Sequence, residues 1–300
     1  MVKARPVALP VPDWMGPGTL HSVRSFSSRH AAPRRLDVWL PPDVAPERAS
    51  RSPHHPLLVM HDGQNLFEAR HGMGGETWQM AQAAMRLPPA RRPVILGVWN
   101  TPNRRREYLP AAMERELPQD LRDRIAGANG GPPLSDGYLA FLADELVPWA
   151  RAALPVSHQR ADTLVMGASM GGLISLAALC RDPQLWGGAG CLSIHWPLLT
   201  DAAAYERGDL QTDRVLAALD RFMAGTMLRP GVGHRLFLDR GSEGRDALYP
   251  PYQAAMDQRL AGLGWTGQTG LRSLVIDGSG HNEASWRTRV DAALAWLLLG

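Results

Sequence analysis

The pentapeptide Gly167-Ala168-Ser169-Met170-Gly171 sets a serine between two glycines, after the apolar run Leu164-Val165-Met166 and before an Ala/Leu-rich stretch ending at Cys180. A buried strand, a very tight turn and a helix starting at the serine would hold Ser169 in a strained backbone conformation and lift its hydroxyl clear of the sheet. A side chain at 167 or 171 is expected to collide with the neighbouring strand or helix, which is the steric case for both glycines. The first N–H groups of a helix lack intrahelical acceptors, so the Met170 amide is free to face a developing oxyanion. Ser169 becomes a useful nucleophile only with a base in hydrogen-bond reach and a third group that orients the base.

In a sheet flanked by helices, sites form at the carboxyl ends of the strands. The strand expected at 271–276 runs into Asp277-Gly278-Ser279-Gly280-His281-Asn282, which puts His281 in a glycine-rich turn before the final helix. His281 is therefore expected to be the general base and acid. The acid should follow the preceding strand, 234–239, where Asp239, Glu243 and Asp246 are available. Asp239 ends the strand and Glu243 lies in the turn. Asp246 falls just before the next helix, from where its carboxylate can reach His281, so Asp246 is favoured and Glu243 is the alternative. A second oxyanion donor is expected from the loop after the strand at 56–60, His61-Asp62-Gly63-Gln64-Asn65. The Gln64 amide fits, with Gly63 letting the backbone turn inward. His61 and Asp62 could pass for a metal pair, but no second ligand cluster accompanies them, so neither a metal nor an organic cofactor is expected.

The elements that must position these groups alternate from residue 56 onward. Runs at 56–60, 93–99 and 163–168 read as buried strands, the first covered on both faces, and 187–194, 234–239 and 271–276 read as further strands. Amphipathic segments near 77–87, 136–153 and 170–180, and two later ones, read as helices. One late helix is expected to bury Tyr252, Met256, Leu260 and Leu263, and the last Trp286, Val290, Ala293 and Leu297. The pattern predicts an α/β fold: a mostly parallel central sheet with helices on both faces. Two earlier strands, 19–28 and 35–40, read as an antiparallel opening pair, and 43–56 as a polar surface loop. Residues 1–17 are Pro-rich and read as an irregular arm, with 18–300 as one domain in which 197–231 could form a small cap. The stretch 100–134, rich in Arg, Pro and Gly, reads as a long loop of the kind that is either functional or mobile.

Bulk properties exclude several classes. The formal net charge is only +3, and arginines are scattered among nearly as many carboxylates, with Lys3 the only lysine. This is not the footprint of a nucleic-acid binder. The local run Arg104-Arg105-Arg106 is either a solvated loop or an anion contact, and Arg106 is a candidate substrate contact. No 18-residue apolar run is present, so no membrane span is expected. The N-terminus has no apolar segment of the kind a secretory signal needs, and a cytoplasmic location is expected. Cys180 and Cys191 read as small buried hydrophobes.

The stretches VWLPPD near residue 38, LLVMHDGQNLFE (58–68), the loop 100–108, MGASMGGLISL (166–176), DRGSEGRDALYPPYQ (239–253) and GSGHNEASW (278–286) follow one another in family order. Taken together, the chain resembles the esterase family of the α/β-hydrolase superfamily that includes esterase D, feruloyl esterases, enterochelin esterases and the antigen 85 mycolyltransferases. The resemblance implies an α/β-hydrolase fold, Ser169 and His281 as catalytic residues, and the Gln64 and Met170 amides as the oxyanion hole. Where many relatives carry an aromatic after the sixth strand, this chain has Ser193-Ile194-His195-Trp196, so His195 and Trp196 are candidate walls of an acyl or sugar pocket. The expected activity is hydrolysis of a small-molecule carboxylic ester through an acyl-enzyme. Acyl transfer at the same site and a catalytically inactive binding fold are the alternatives.

Overall fold

A computed structural model of the chain describes residues 9–44 and 54–300. Its nine strands form one mixed sheet in the order β1-β2-β3-β5-β4-β6-β7-β8-β9. They are β1 (Leu9–Pro10), β2 (Thr19–Phe26), β3 (Arg34–Leu40), β4 (Leu57–His61), β5 (Val94–Val98), β6 (Thr163–Ala168), β7 (Gly188–Leu192), β8 (Arg235–Gly241) and β9 (Leu271–Ile276). The pairs β1–β2, β2–β3 and β3–β5 are antiparallel, and every later pair is parallel. The expected α/β architecture is therefore present. The first eight residues of the Pro-rich arm and residues 45–53 of the 43–56 loop lie outside the described residues.

The central strands read as continuous apolar runs because each feeds two cores. In β4, Leu57 and Val59 point into one cluster while Leu58 and Met60 point into the other. In β6, Val165 joins the first cluster and Leu164, Met166 and Ala168 the second. The period of two in a pleated strand produces this division. Helices Met170–Arg181, Thr212–Gly225 and Pro250–Gly262 cover the first face, and Met80–Met85 and Glu283–Leu299 cover the second.

Several expectations about elements need correction. The stretch 100–134 is not a loop: it holds helices Arg104–Tyr108, Ala111–Glu114 and Gln119–Asn129. Two of its prolines, Pro110 and Pro118, stand at the starts of helices, and Gly130 ends the last with φ 75°. Punctuation was there, but it separated short helices rather than marking a coil. The helix over 135–153 forms but widens to a π-turn at Phe141–Leu146, just ahead of Pro148, which has no N–H to give the preceding turn. Leu263 is 36% exposed at the C-cap of its helix, outside the buried face formed by Tyr252, Met256 and Leu260.

Candidate active site

Ser169 sits between β6 and the helix Met170–Arg181 with φ 57° and ψ −123°, a conformation a serine adopts only under constraint. Its backbone is held on two sides: Ser169 N–H donates to Leu192 O at 2.9 Å and His195 N–H donates to Ser169 O at 3.2 Å. A Cβ on Gly167 would lie 2.7 Å from the carbonyl carbon and 2.8 Å from the oxygen of Gly171, so this glycine is required. Gly171 is different, and the expectation for it fails. A Cβ there would meet only His61 Cβ at 3.4 Å and Asp62 Oδ2 at 3.6 Å, which is ordinary contact. The tight second approach is at Gly172, where a Cβ would lie 3.2 Å from Leu192 O and Ile194 Cγ1.

The loop after β9 brings His281 Nε2 to 2.9 Å from Ser169 Oγ. On the other side of the ring, His281 Nδ1 is 2.6 Å from Asp246 Oδ1. The imidazole is wedged between Tyr249 and Trp286, with centroid distances of 5.7 and 5.1 Å, both edge-on. Asp246 lies in the 3-10 turn Gly244–Leu248 and is fully buried. Burial alone would raise its pKa. The hydrogen bond and charge of His281, with hydrogen bonds from Ser193 and Gly241, outweigh that and hold it below the usual carboxylate range. Glu243 caps that turn through its backbone and lies exposed on the cleft wall, away from the histidine's Nδ1. Of the two candidate acids, Asp246 is the one brought to His281.

The loop after β4 packs against β5 because Gly63 has no side chain: a Cβ would lie 2.5 Å from the Gly97 carbonyl carbon. Gln64 and Met170 stand at the first turns of a 3-10 and an α-helix, where backbone N–H groups lack intrahelical acceptors. Asp62, in the left-handed region at φ 56°, anchors the loop. It receives Arg104 in a two-pronged pair, Nε and Nη2 both at 2.7 Å, and Asn100 Nδ2 at 2.7 Å. Burial would raise the Asp62 pKa, but the Arg104 charge and hydrogen bonds reverse the sign and hold it low. Behind it, His61 Nδ1 is 2.8 Å from Tyr138 OH, and burial pushes the His61 pKa down to about 3, so the ring is neutral. Asn65 ties this loop to the segment after His281 through Nδ2 to Glu283 Oε1 at 3.0 Å.

These groups face a cleft of about 830 Å³, within the usual range for small-molecule sites. Its walls include Gln64, Ser169, His281, Arg104, Trp78 and Trp286. Three expected substrate contacts are not on it. Arg106 donates from Nε to Pro132 O at 2.8 Å; two residues along a helix from Arg104, it projects about 200° round the axis. His195 and Trp196 are buried, 2% and 1% exposed. The chain turns inward after β7 through Ser193 at φ 43°. His195 then bonds Leu199 O and Tyr249 OH, and Trp196 Nε1 donates to Gln253 Oε1 at 3.1 Å. No residue of 197–231 lines the cleft, so a cap over it is not seen. Arg104 was weighed only as part of its arginine run, Asp62 only as a metal ligand and Asn100 not at all, yet all three line the cleft. The signal for them was available, since Asn100 and Arg104 follow the carboxyl end of β5, next to β4.

Parallel sheet, strained serine turn, and a histidine and aspartate delivered from the last two strand ends define an α/β-hydrolase-fold protein. The family model Esterase matches residues 27–297, and the chain belongs to this family. It is 28% identical over 169 residues to a curated Bacillus subtilis (strain 168) protein described as "Uncharacterized protein YbbA", a match spanning 56% of this chain and 60% of that one. Among solved structures, the enterobactin esterase FES from Shigella flexneri superposes with a TM-score of 0.62 at 18% identity, over 94% of this chain and 60% of that one. An S-formylglutathione hydrolase from Agrobacterium tumefaciens gives 0.60 at 14% identity, over 97% and 98%. A ferulic acid esterase gives 0.58 at 15% identity, over 93% and 98%. At these identities the structures testify to the fold. The chain spans about 60% of the length of the curated relative and of the enterobactin esterase. Among the described residues, no helix is long and apolar enough to cross a membrane, and no cluster of three or more His, Cys, Asp or Glu side chains is arranged to hold a metal ion.

Proposed function

We propose that the protein hydrolyses a small-molecule carboxylic ester through an acyl-enzyme on Ser169. The observation that carries this reading is one imidazole, His281, bridging Ser169 Oγ at 2.9 Å and Asp246 Oδ1 at 2.6 Å inside the cleft. Ser169 Oγ attacks the ester carbonyl while His281 Nε2 takes its proton. Asp246 keeps the Nδ1 proton in place and offsets the imidazolium charge. The tetrahedral oxyanion accepts from the Met170 and Gln64 amides, donors each worth about 10²–10³ in rate. His281 returns the proton to the departing alcohol, and water repeats the sequence to release the acid. No residue of 197–231 lines the cleft, and a cleft left uncovered to solvent supports hydrolysis over transfer to an alcohol. Two free, buried cysteines, Cys180 and Cys191, suit a reducing compartment and support a cytoplasmic location.

A fluorophosphonate probe and a panel of p-nitrophenyl esters test the reading. Wild type is expected to label and turn over, and Ser169→Ala to do neither. Labelling and turnover that persist in Ser169→Ala would overturn it.

A further inference from the structure

We propose that Arg289, acting through the Ser193 hydroxyl, is a positioning device for Asp246: it aims a single O–H at the carboxylate oxygen that does not face His281. The inference rests on the proposed role of Asp246 as the residue that orients the base.

The direction of every hydrogen bond in this network is forced. Ser193 Oγ has three neighbours: Trp286 Nε1 at 3.0 Å, Arg289 Nη2 at 2.8 Å and Asp246 Oδ2 at 2.6 Å. Indole and guanidinium nitrogens can only donate, so they occupy both hydroxyl lone pairs. The one remaining hydroxyl proton therefore points at Asp246 Oδ2. That oxygen also accepts Gly241 N–H at 2.6 Å, which leaves Oδ1 aimed at His281. Arg289 further reaches Gly280 O, the carbonyl just before His281, at 3.4 Å. One guanidinium thus touches the supports of both the acid and the base.

The charge of Arg289 is balanced on its far side. Nη1 is 3.2 Å from Asp239 Oδ1, while Nη2 lies 3.8 Å from Asp246 Oδ2. Asp239 also fixes Ser193, whose N–H donates to Asp239 O at 2.9 Å and Oδ1 at 3.0 Å. Ser193, Asp239 and Asp246 are fully buried and Arg289 is 4% exposed. In such a site a guanidinium facing Asp246 alone would drain the carboxylate's charge and weaken its hold on the imidazolium. Asp239 shares it, so Arg289 serves mainly to orient. The charged and titratable groups around Asp246 are His281 from the loop after β9, Arg289 from the last helix, Asp239 from β8 and Tyr249 from the turn before Pro250–Gly262.

Ser193→Ala and Arg289→Met, with Arg289→Lys as the conservative control, test this against Asp246→Asn. Ser193→Ala is expected to lower kcat by about 10- to 100-fold, the usual worth of one hydrogen bond to a charged group, with KM unchanged. With less of its charge drawn off, Asp246 holds a proton on the imidazole longer, so the acid limb of the kcat/KM profile moves to higher pH. Arg289→Met moves the limb the same way, Arg289→Lys, which keeps the charge but not the planar fork, moves it part of the way, and the downfield Nδ1–H proton resonance shifts in Ser193→Ala and Arg289→Met. A folded Ser193→Ala with wild-type kcat and acid limb overturns the proposal, as does a loss of melting temperature in both variants with the limb unmoved. If Arg289→Met does not fold, Ser193→Ala decides. Wild-type activity in Asp246→Asn overturns the reading of the acid itself; an inactive Asp246→Asn beside an unaffected Ser193→Ala overturns only the positioning role.

Discussion

Gly167→Ala and Gly171→Ala form a matched pair that separates steric need from motif membership. At 167 the added Cβ would sit 2.7 Å from a carbonyl carbon and 2.8 Å from a carbonyl oxygen, both backbone atoms of Gly171. Relief to an ordinary contact of about 3.5 Å requires roughly 0.8 Å of movement between β6 and the first turn of the following helix. That turn carries Ser169 and the Met170 amide. Overpacking of this kind costs about 1–3 kcal/mol of stability, and a displacement near 1 Å costs about 10²-fold in rate. At 171 the added Cβ meets nothing closer than 3.4 Å, and its position in the first turn of a helix favours alanine by up to about 1 kcal/mol. Thermal denaturation and p-nitrophenyl ester turnover should therefore show Gly167→Ala less stable and about 10²-fold slower, and Gly171→Ala with unchanged rate and an equal or higher melting temperature. Equal damage from both substitutions would refute the reasoning.

Asp246→Asn should reduce kcat by about 10⁴-fold while Glu243→Gln stays near wild type; the reverse order would reassign the acid. Arg104→Gln leaves Asp62 short of its two-pronged partner at a half-buried site, and equilibrium denaturation should show a loss of about 1–3 kcal/mol; an unchanged midpoint would mean the pair is not anchoring the loop. His195 is buried with its pKa pushed down to about 3, so below its unfolded value of 6.5 the folded state binds fewer protons than the unfolded chain. Stability is full above that value and falls with pH down to about 3. The loss is on the order of 2 kcal/mol at pH 5. Asp239, raised to about 6 by burial, contributes with the opposite sign, so the test is a difference: His195→Gln should flatten the melting-temperature slope between pH 7 and 5, and an unaltered slope would refute it.

Ser169, Asp246 and His281 were legible in the chain because each follows a strand, buried in β6 and β8 and half-exposed at the sheet edge in β9, and strand ends in a parallel sheet converge on one edge. The same logic should have drawn Asn100 and Arg104 into the site, but the arginine run gave no way to tell Arg104 from Arg106 until a helix fixed which faces β4. His195 and Trp196 failed for a similar reason: position after β7 does not say whether the chain continues outward or, as Ser193 makes it do, turns into the core.

By itself the sequence determined the strand–helix alternation, the strained serine turn and the chain order of Ser169, the carboxylates Glu243 and Asp246, and His281, because those depend on residue type and spacing along the chain. Only the tertiary structure decided that Asp246 and not Glu243 meets the imidazole, that Gly167 is needed and Gly171 is not, and that Arg289 stands behind Asp246. Those outcomes turn on differences of a few tenths of an ångström and on which way a side chain leaves its turn, quantities set by packing between segments far apart in sequence.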